Sequence, residues 1–252
     1  MINSQRIAVV LPAYNAACTL EKTIGELDRT VIDEIILVDD ASSDHMVELA
    51  RSLGLEPIRH DKNKGYGANQ KTCYRTALSL DVDIVVMLHP DYQYSPKLTA
   101  PMAAMIAYGE YDAVLGSRIL AQNSIEQGMP VYKYVANRAL TLFENMVVGA
   151  KLSEYHTGLR AYGCDALRAI PFELNSDDFV FDNELNVQLL AAGARVGEIS
   201  CPTRYDPDSS SINFRRSVTY GFGVLRTSMQ YKMRQLGSTR YPYLNVNPVR
   251  AD

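Results

Sequence analysis

Cysteine is scarce: four in 252 residues, at positions 18, 73, 164 and 201, with no C-x-x-C pair among them. That scatter speaks against a structural zinc site and against a disulfide framework, so reduced thiols in a cytosolic protein are expected. Long apolar runs are missing too, none approaching the roughly 18–20 residues that cross a bilayer. The opening MINSQRIAVVLPAYN runs straight into a strand pattern, with no secretory leader expected. Internal repeats and low-complexity tracts are absent, and nearly half the residues are hydrophobic, as in an ordinary globular protein with a sizeable core.

One sign of charge is missing locally. From Ser209 to Ala251 there are seven basic residues and no acid, whereas residues 1–208 hold 18 basic against 28 acidic residues, a net −10. The acidic body, and a basic stretch that matches no recognised module, exclude nucleic acid as an expected partner. The basic stretch reads as a solvated face or as one that meets an anion, whether a phosphate or a membrane surface.

What is present is alternation. RIAVVLP (6–12), EIILVDD (34–40), LEPIRH (55–60), DIVVML (83–88) and DAVLGS (112–117) have the pattern of strands, and ARVGEIS (194–200) of one more. Residues 7–11, 35–38 and 84–88 are continuously apolar, as expected of parallel strands covered on both faces. Helical patterns lie near 17–29, 43–53 (with Ser42 or Ser43 as N-cap), 66–80, 96–107 and 131–148, and a helix starts near Phe181. HTGLRAY (156–162) has the look of a constrained loop, and a last helical pattern covers about 217–236. The expected fold class is α/β, an open, mostly parallel sheet with helices on both faces.

Ligands of such sheets bind beyond the carboxyl ends of the strands. Polar groups stand at three of those ends: PAYN after the first strand, DDASSD after the second, HPDYQ after the fourth. Of the neighbours Asp39 and Asp40, one side chain can meet a ligand while the other braces the turn; a helix-capping turn is the alternative for both. Asp91 follows a buried strand and precedes Pro96. A hard cation such as Mg2+ or Mn2+ takes one or two carboxylates plus phosphate oxygens, and His89 offers a nitrogen that Mn2+ tolerates better than Mg2+. In DKNKGYGANQ (61–70), Asn63, Lys64, Gly65 and Gly67 precede a helix, where exposed amides suit a phosphate, although the spacing is neither a P-loop nor a dinucleotide fingerprint.

VVLPAYN (9–15), DEIILVDDASSD (33–44), NKGYGANQ (63–70), HPDYQ (89–93), GSR (116–118) and HTGLRAY (156–162) come in an order that resembles family 2 glycosyltransferases, and FVFDNEL (179–185) is similar to their dolichol- and polyprenyl-phosphate branch. The resemblance covers about residues 6–205. It implies a Rossmann-like GT-A fold over 1–208, with a donor half to about 118, an acceptor half over 119–208, and a basic helical tail at 209–252. It also implies inverting transfer of a sugar from a GDP- or UDP-linked donor to a polyprenyl phosphate or a glycan intermediate of the cell envelope. Pro12, Tyr14 and Asn15 would surround the base and ribose beside Asp40, with Asp39 hydrogen-bonding the nucleotide and Lys64 and Gly65 at its edge. Asp91 would hold the metal that bridges the diphosphate, Gln93 would reach the donor sugar, and Arg118 would contact phosphate.

The pattern also departs from the family. The usual Asp-x-Asp-x-Gln becomes His89-Pro90-Asp91-Tyr92-Gln93, which removes one negative charge from the metal site and favours Mn2+ over Mg2+. Ala41 replaces a usual glycine and Thr157 a usual serine, and the transmembrane hairpins of many relatives are missing. A hydroxyl acceptor needs a base, for which Asp182 and Glu184 are the candidates, or else these are a helix N-terminal acid pair. A phosphate acceptor needs cations instead: Arg118, Arg138, Arg160, Arg204 and the Arg215/Arg216 pair. The basic stretch either makes a peripheral contact with the inner face of a membrane or packs on the body or a second subunit. Two alternatives remain: a sugar nucleotidyltransferase, against which PAYNAACTL carries no basic residue before Lys22, and a nucleotide-sugar-binding protein of impaired activity.

Overall fold

A computed structural model describes residues 1–121, 124–205 and 214–250. In chain order the elements are β1 (Ile7–Ala13), α1 (Ala17–Gly25), β2 (Glu34–Asp39), α2 (Met46–Ser52), β3 (Ile58–Arg59), α3 (Tyr66–Ser79), β4 (Ile84–Met87) and α4 (Thr99–Ala107). There follow β5 (Ala113–Ser117), α5 (Val131–Val148), β6 (Arg160–Gly163), α6 (Cys164–Arg168), α7 (Phe181–Ala191), β7 (Val196–Ser200) and α8 (Phe214–Gln235).

Seven strands form one sheet in the order β3-β2-β1-β4-β6-β5-β7. β1 pairs in parallel with β2 and β4, β2 with β3, and β5 with β7. β1 is apolar at successive positions because both its faces are covered. Ile7, Val9 and Leu11 pack in one core layer with α1, α2 and α4, while Ala8 and Val10 pack in the other with α3, α6 and α7.

The strand β6 was not expected; only the first half of 156–162 is a loop. Residues 160–163 run antiparallel between β4 and β5. With four residues headed by an arginine, the segment has no strand periodicity of its own, and its pairing comes from the open ladders of two apolar neighbours. The helix α2 also starts later than expected. Neither Ser42 nor Ser43 caps it; the Met46 amide donates to Asp44 Oδ1 at 3.2 Å. The serines instead join the tips of β1 and β2, with Asn15 N donating to Ser42 Oγ (2.9 Å) and Ser43 N to Asn15 Oδ1 (2.8 Å).

The described part of the stretch expected as a tail is packed on the body. α8 lies on α5 and α7, and Tyr231 shares a core cluster with Val148, Val187 and Leu244. Beyond it the chain returns to the sheet, with Val249 N on Ala192 O (2.9 Å) and Arg250 Nη2 on Asp112 Oδ1 (2.9 Å). Among the described residues no helix is long and apolar enough to cross a membrane.

Candidate active site

The tips of β1, β2 and β4 each carry a non-glycine residue in the left-handed region: Asn15 (φ 50°), Ala41 (φ 59°) and Tyr92 (φ 57°). Such backbone costs about 1–2 kcal/mol per residue, and strain of this kind concentrates where side chains are held for a purpose. Ala41 sits where a glycine would be unstrained. Ala41→Gly is therefore expected to raise unfolding stability by up to about 1 kcal/mol, after allowing for glycine's greater unfolded-state entropy, measured by urea denaturation.

Asp39 and Asp40, expected to divide between ligand and turn, are both engaged by the protein. Asp39, fully buried, accepts from Ser42 N at 3.2 Å and lies 3.4 Å from Arg59 Nε. Asp40 is committed to the protein: Oδ1 meets His60 Nδ1 at 2.7 Å and Lys64 N at 2.8 Å, and Oδ2 accepts Gly65 N at 3.0 Å.

The amides of 64, 65, 67 and 68 are accordingly not a phosphate cradle, contrary to the expectation for this loop. Lys64 and Gly65 give theirs to Asp40, and Gly67 gives its own to Asp177 O at 2.8 Å. The glycines serve packing instead. A Cβ at Gly65 would stand 2.6 Å from Asp177 O, and one at Gly67 would stand 2.4 Å from Ser176 O. The Lys64 side chain stays in solvent, 3.6 Å from Asp61.

Asp91 stands one turn beyond β4 and is nearly buried. Its Oδ1 accepts Gln93 N at 3.1 Å, a turn brace, and Gln93 O accepts Arg204 N at 2.9 Å. Two α1 hydroxyls hold the loop from behind, Thr19 at 2.6 Å and Thr23 at 3.1 Å from Pro90 O. Tyr92 is clamped between two cations, with Lys22 Nζ 4.0 Å and Arg204 Cζ 4.7 Å from its ring centroid, while its hydroxyl bonds Glu26. This clamp has no signature in sequence, because its parts come from α1, the loop after β4 and the chain after β7.

Asp182 reaches the same edge. Tyr66 OH donates to Asp182 Oδ2 at 2.7 Å, and Gln70 Nε2 donates to Oδ1 at 3.0 Å. Burial first, and then the Asp182 charge, push the Tyr66 phenol well above its ordinary pKa, so it keeps its proton. The Tyr66 oxygen, 3.0 Å from His89 Nε2, must then accept from that nitrogen. The hydrogen-bond network therefore places a proton on His89 Nε2, and in the neutral ring the lone pair is then on Nδ1. Glu184 turns away from this network, as residues two apart on a helix must. It accepts Ser176 N at 2.6 Å, and burial raises its pKa.

The arginines separate. Arg160 is fully buried, with its guanidinium spent on Thr157 O (2.8 Å), Tyr155 O (2.9 Å) and Asn186 Oδ1 (2.8 Å) and Nε 3.8 Å from Asp182. It has no surface to offer, and the expectation that it meets an acceptor phosphate is corrected. Arg118 pairs with fully buried Glu154, Nε to Oε1 at 2.8 Å, and donates Nη2 to His156 O at 2.6 Å, which leaves Nη1 without a partner among the described residues. Burial alone would lower the Arg118 pKa, but Glu154 and nearby tyrosines outweigh it and hold it well above the usual value. Burial is the largest single influence on the Glu154 pKa and would raise it, but the charge and hydrogen bonds of Arg118, with the Asn137 hydrogen bond, together outweigh it and hold it below the usual value, so the pair is ionic. Nothing in the sequence around Glu154 marks it as that partner. Arg138 is exposed and donates to Ser153 O at 2.8 Å, Arg215 is exposed on α8, and Arg204 lines a cleft of about 430 Å³ with Ser95, Gln127 and Thr203. Of the residues expected around a base and ribose, Pro12 is buried within β1, Asn15 is tied to Ser43, and Tyr14 stands 54 % exposed at the rim.

The profile of Glycosyl transferase family 2 matches residues 8–171, through every strand tip just described. The chain belongs to glycosyl transferase family 2. Among the relatives of this family 2 member is the UDP-N-acetylglucosamine–dolichyl-phosphate N-acetylglucosaminyltransferase of Methanococcus voltae, 26% identical over 90% of this chain and 96% of that protein. The undecaprenyl-phosphate mannosyltransferase of Micrococcus luteus is 25% identical over 77% and 82%. Among solved structures, glucosyl-3-phosphoglycerate synthase from Mycobacterium tuberculosis, in complex with Mn2+, UDP-glucose and phosphoglyceric acid, superposes with a TM-score of 0.67. It covers 91% of this chain and 80% of its own at 18% identity, and it shows that the fold is GT-A.

The residues present fit a divalent ion of limited protein ligation. Among the described residues no three His, Cys, Asp or Glu side chains converge as a closed metal cage. Mg2+ and Mn2+ in nucleotide sites need none, since water and phosphate oxygens complete one or two protein donors. The Asp91 carboxylate and the His89 Nδ1 lone pair are donors of that kind.

Proposed function

We propose that this family 2 glycosyltransferase moves a sugar, with inversion, from a UDP- or GDP-linked donor to a polyprenyl phosphate. The observation that carries the reading is that Asp91, nearly buried, stands just beyond the tip of β4 while Arg118, just beyond the end of β5, has an Nη1 with no partner among the described residues. Asp91, with His89, would hold Mg2+ or Mn2+, the latter preferred because an imidazole stands where a second carboxylate is usual. When bound, the ion would supply positive charge beside the departing diphosphate.

The protein's own groups do the rest. Thr19, Thr23 and the Tyr92 clamp fix the Asp91 loop before substrate arrives, so little reorganisation is left for the moment of reaction. Tyr14 borders the space for the nucleotide, and fully buried Asp39 acts behind it by bracing the tip of β2. Arg118 Nη1, and the exposed Arg138, Arg204 and Arg215, meet phosphate. An acceptor phosphate is already anionic at neutral pH and needs no base, which agrees with an Asp182 whose two oxygens already accept hydrogen bonds. The names of the two relatives, a dolichyl-phosphate and an undecaprenyl-phosphate transferase, support the same acceptor class.

The position of Asp182, joined to His89 through Tyr66, favours a second reading with a glycan hydroxyl as acceptor. Labelled UDP- and GDP-sugars incubated with Mn2+ and polyprenyl phosphate should give label that partitions into organic solvent. In that assay Asp182→Asn is expected to retain most activity. A loss of about 10²–10⁴-fold, the usual worth of a general base, would move the assignment to a hydroxyl acceptor.

A further inference from the structure

The ring of His156 has no part in the chemistry above, yet two helices distant in sequence hold it. Its side chain is only 8% exposed. From α5, Glu144 Oε2 stands 3.1 Å from Nε2. From α8, the Tyr220 hydroxyl stands 2.9 Å from Nδ1, and the two rings meet edge-on with centroids 5.6 Å apart. Glu144 is the only acid of α5 and is fully buried. Its Oε1 accepts Asn183 Nδ2 from α7. Among the described residues its Oε2 and His156 Nε2 have no hydrogen-bond partner, and the contact between them is the one ion pair that either residue makes. A buried carboxylate with so little solvation is unfavourable for a fold, which sets this cluster apart from ordinary packing.

The approach of α8 is built for the contact. Glycine inside a helix is unfavourable, yet α8 carries one at 223, where a Cβ would stand 2.9 Å from Val180 Cγ2 at the start of α7. That close approach brings Tyr220, one turn earlier, onto His156. Burial first, and then the charges of Glu144 and Asp182, push the Tyr220 phenol far above its ordinary pKa, so it keeps its proton. In the neutral ring its hydroxyl donates to Nδ1; in an imidazolium its oxygen accepts from Nδ1. The ring is held in both cases.

The consequence lies in the backbone. The His156 carbonyl accepts Arg118 Nη2 at 2.6 Å, and Glu154, two residues earlier in the same loop, accepts Nε at 2.8 Å. Two acceptors on one planar guanidinium fix its orientation, and with it the direction of Nη1. Glu154 is itself secured by Asn137 Nδ2 of α5 at 2.7 Å and, through its own amide, by Glu198 of β7 at 3.1 Å. For His156 the corresponding hold is the ring.

We infer that His156 and Tyr220 are positioning residues for Arg118. The ring clamped between Glu144 and Tyr220 fixes the His156 carbonyl, and that carbonyl aims Nη1 at the acceptor phosphate. The inference rests on the reading of Arg118 as a phosphate ligand. It makes α8 part of the acceptor site through one hydroxyl that need not touch substrate.

Transfer by the full chain in Mn2+ is to be measured at saturating donor against polyprenyl phosphate concentration, with donor affinity taken separately without acceptor. Tyr220→Phe keeps the ring packing and removes only the hydroxyl. It should raise the acceptor KM by about tenfold, the worth of one hydrogen bond, and leave donor affinity as in wild type. His156→Gln, which keeps a polar group toward Glu144, should recover most of the transfer that His156→Ala loses. Arg118→Lys keeps the charge but not the arm on the His156 carbonyl; in that background Tyr220→Phe should change the acceptor KM by less than about twofold. A wild-type acceptor KM in Tyr220→Phe overturns the inference. So does the same tenfold rise in both backgrounds, because Tyr220 would then act independently of Arg118. An Arg118→Lys variant with a wild-type acceptor KM removes the phosphate role of Arg118 itself, and the inference falls with it.

Discussion

Replacing Asp91 with alanine is expected to lower sugar transfer by about 10²–10³-fold, the usual cost of deleting one preorganised charge-stabilising group. Asp91 has two jobs, and Asp91→Asn separates them. The amide keeps an oxygen for Gln93 N, at 3.1 Å in the native loop, and so preserves the turn while removing the negative charge. If the charge matters, Asn and Ala are equally inactive, and only Ala loses the turn hydrogen bond, at about 0.5–1.5 kcal/mol of stability. Initial rates with saturating Mn2+, together with urea unfolding of both variants, read the two effects independently. Wild-type transfer by Asp91→Asn would reduce Asp91 to a brace.

The second large effect falls on stability. Glu154→Gln leaves Arg118 charged and its buried neighbour neutral, and unpairing a buried ion pair typically costs about 3–5 kcal/mol. Glu154 also accepts the Arg118 backbone amide at 2.7 Å and Asn137 Nδ2 at 2.7 Å, so the substitution disturbs the end of β5 and α5 together. The pH dependence has a definite sign. The Glu154 pKa is lowered in the folded protein, so its contribution is present above the ordinary carboxylate range and is lost as pH falls through the folded value. Unfolding curves of wild type and Glu154→Gln should therefore converge as the solution is acidified. A gap that stays constant down to acid pH would mean that the pair is not the source of the stability.

The donor half was legible in sequence wherever the cause was local. Continuous apolar runs gave β1, β2 and β4, because a strand covered on both faces needs no alternation, and the acidic tips followed from where such strands end. What stayed hidden depends on partners distant in the chain. β6 has no pattern of its own and exists because β4 and β5 leave room between them. The loop 61–70 has the composition of an anion site, but the amides of 64 and 65 are taken by Asp40 and those of 67 and 68 by Asp177 O, and no local feature announces that. Arg160 and Arg118 look alike as arginines near motifs, yet one is buried whole and the other keeps a nitrogen with no partner among the described residues, a difference made by α7 and by Glu154. Asp182 and Glu184 were separable in principle, since two positions apart on a helix cannot share a face.

The most direct test is calorimetric titration of UDP- and GDP-sugars into the wild-type chain and Asp91→Asn, each in Mn2+ and again in chelator. Wild-type affinity for one nucleotide sugar should fall by about tenfold or more when the ion is removed, a change of about 1.4 kcal/mol or greater, while Asp91→Asn should bind equally weakly in both. Equal wild-type affinity with and without the ion would contradict a metal-assisted site at the tip of β4.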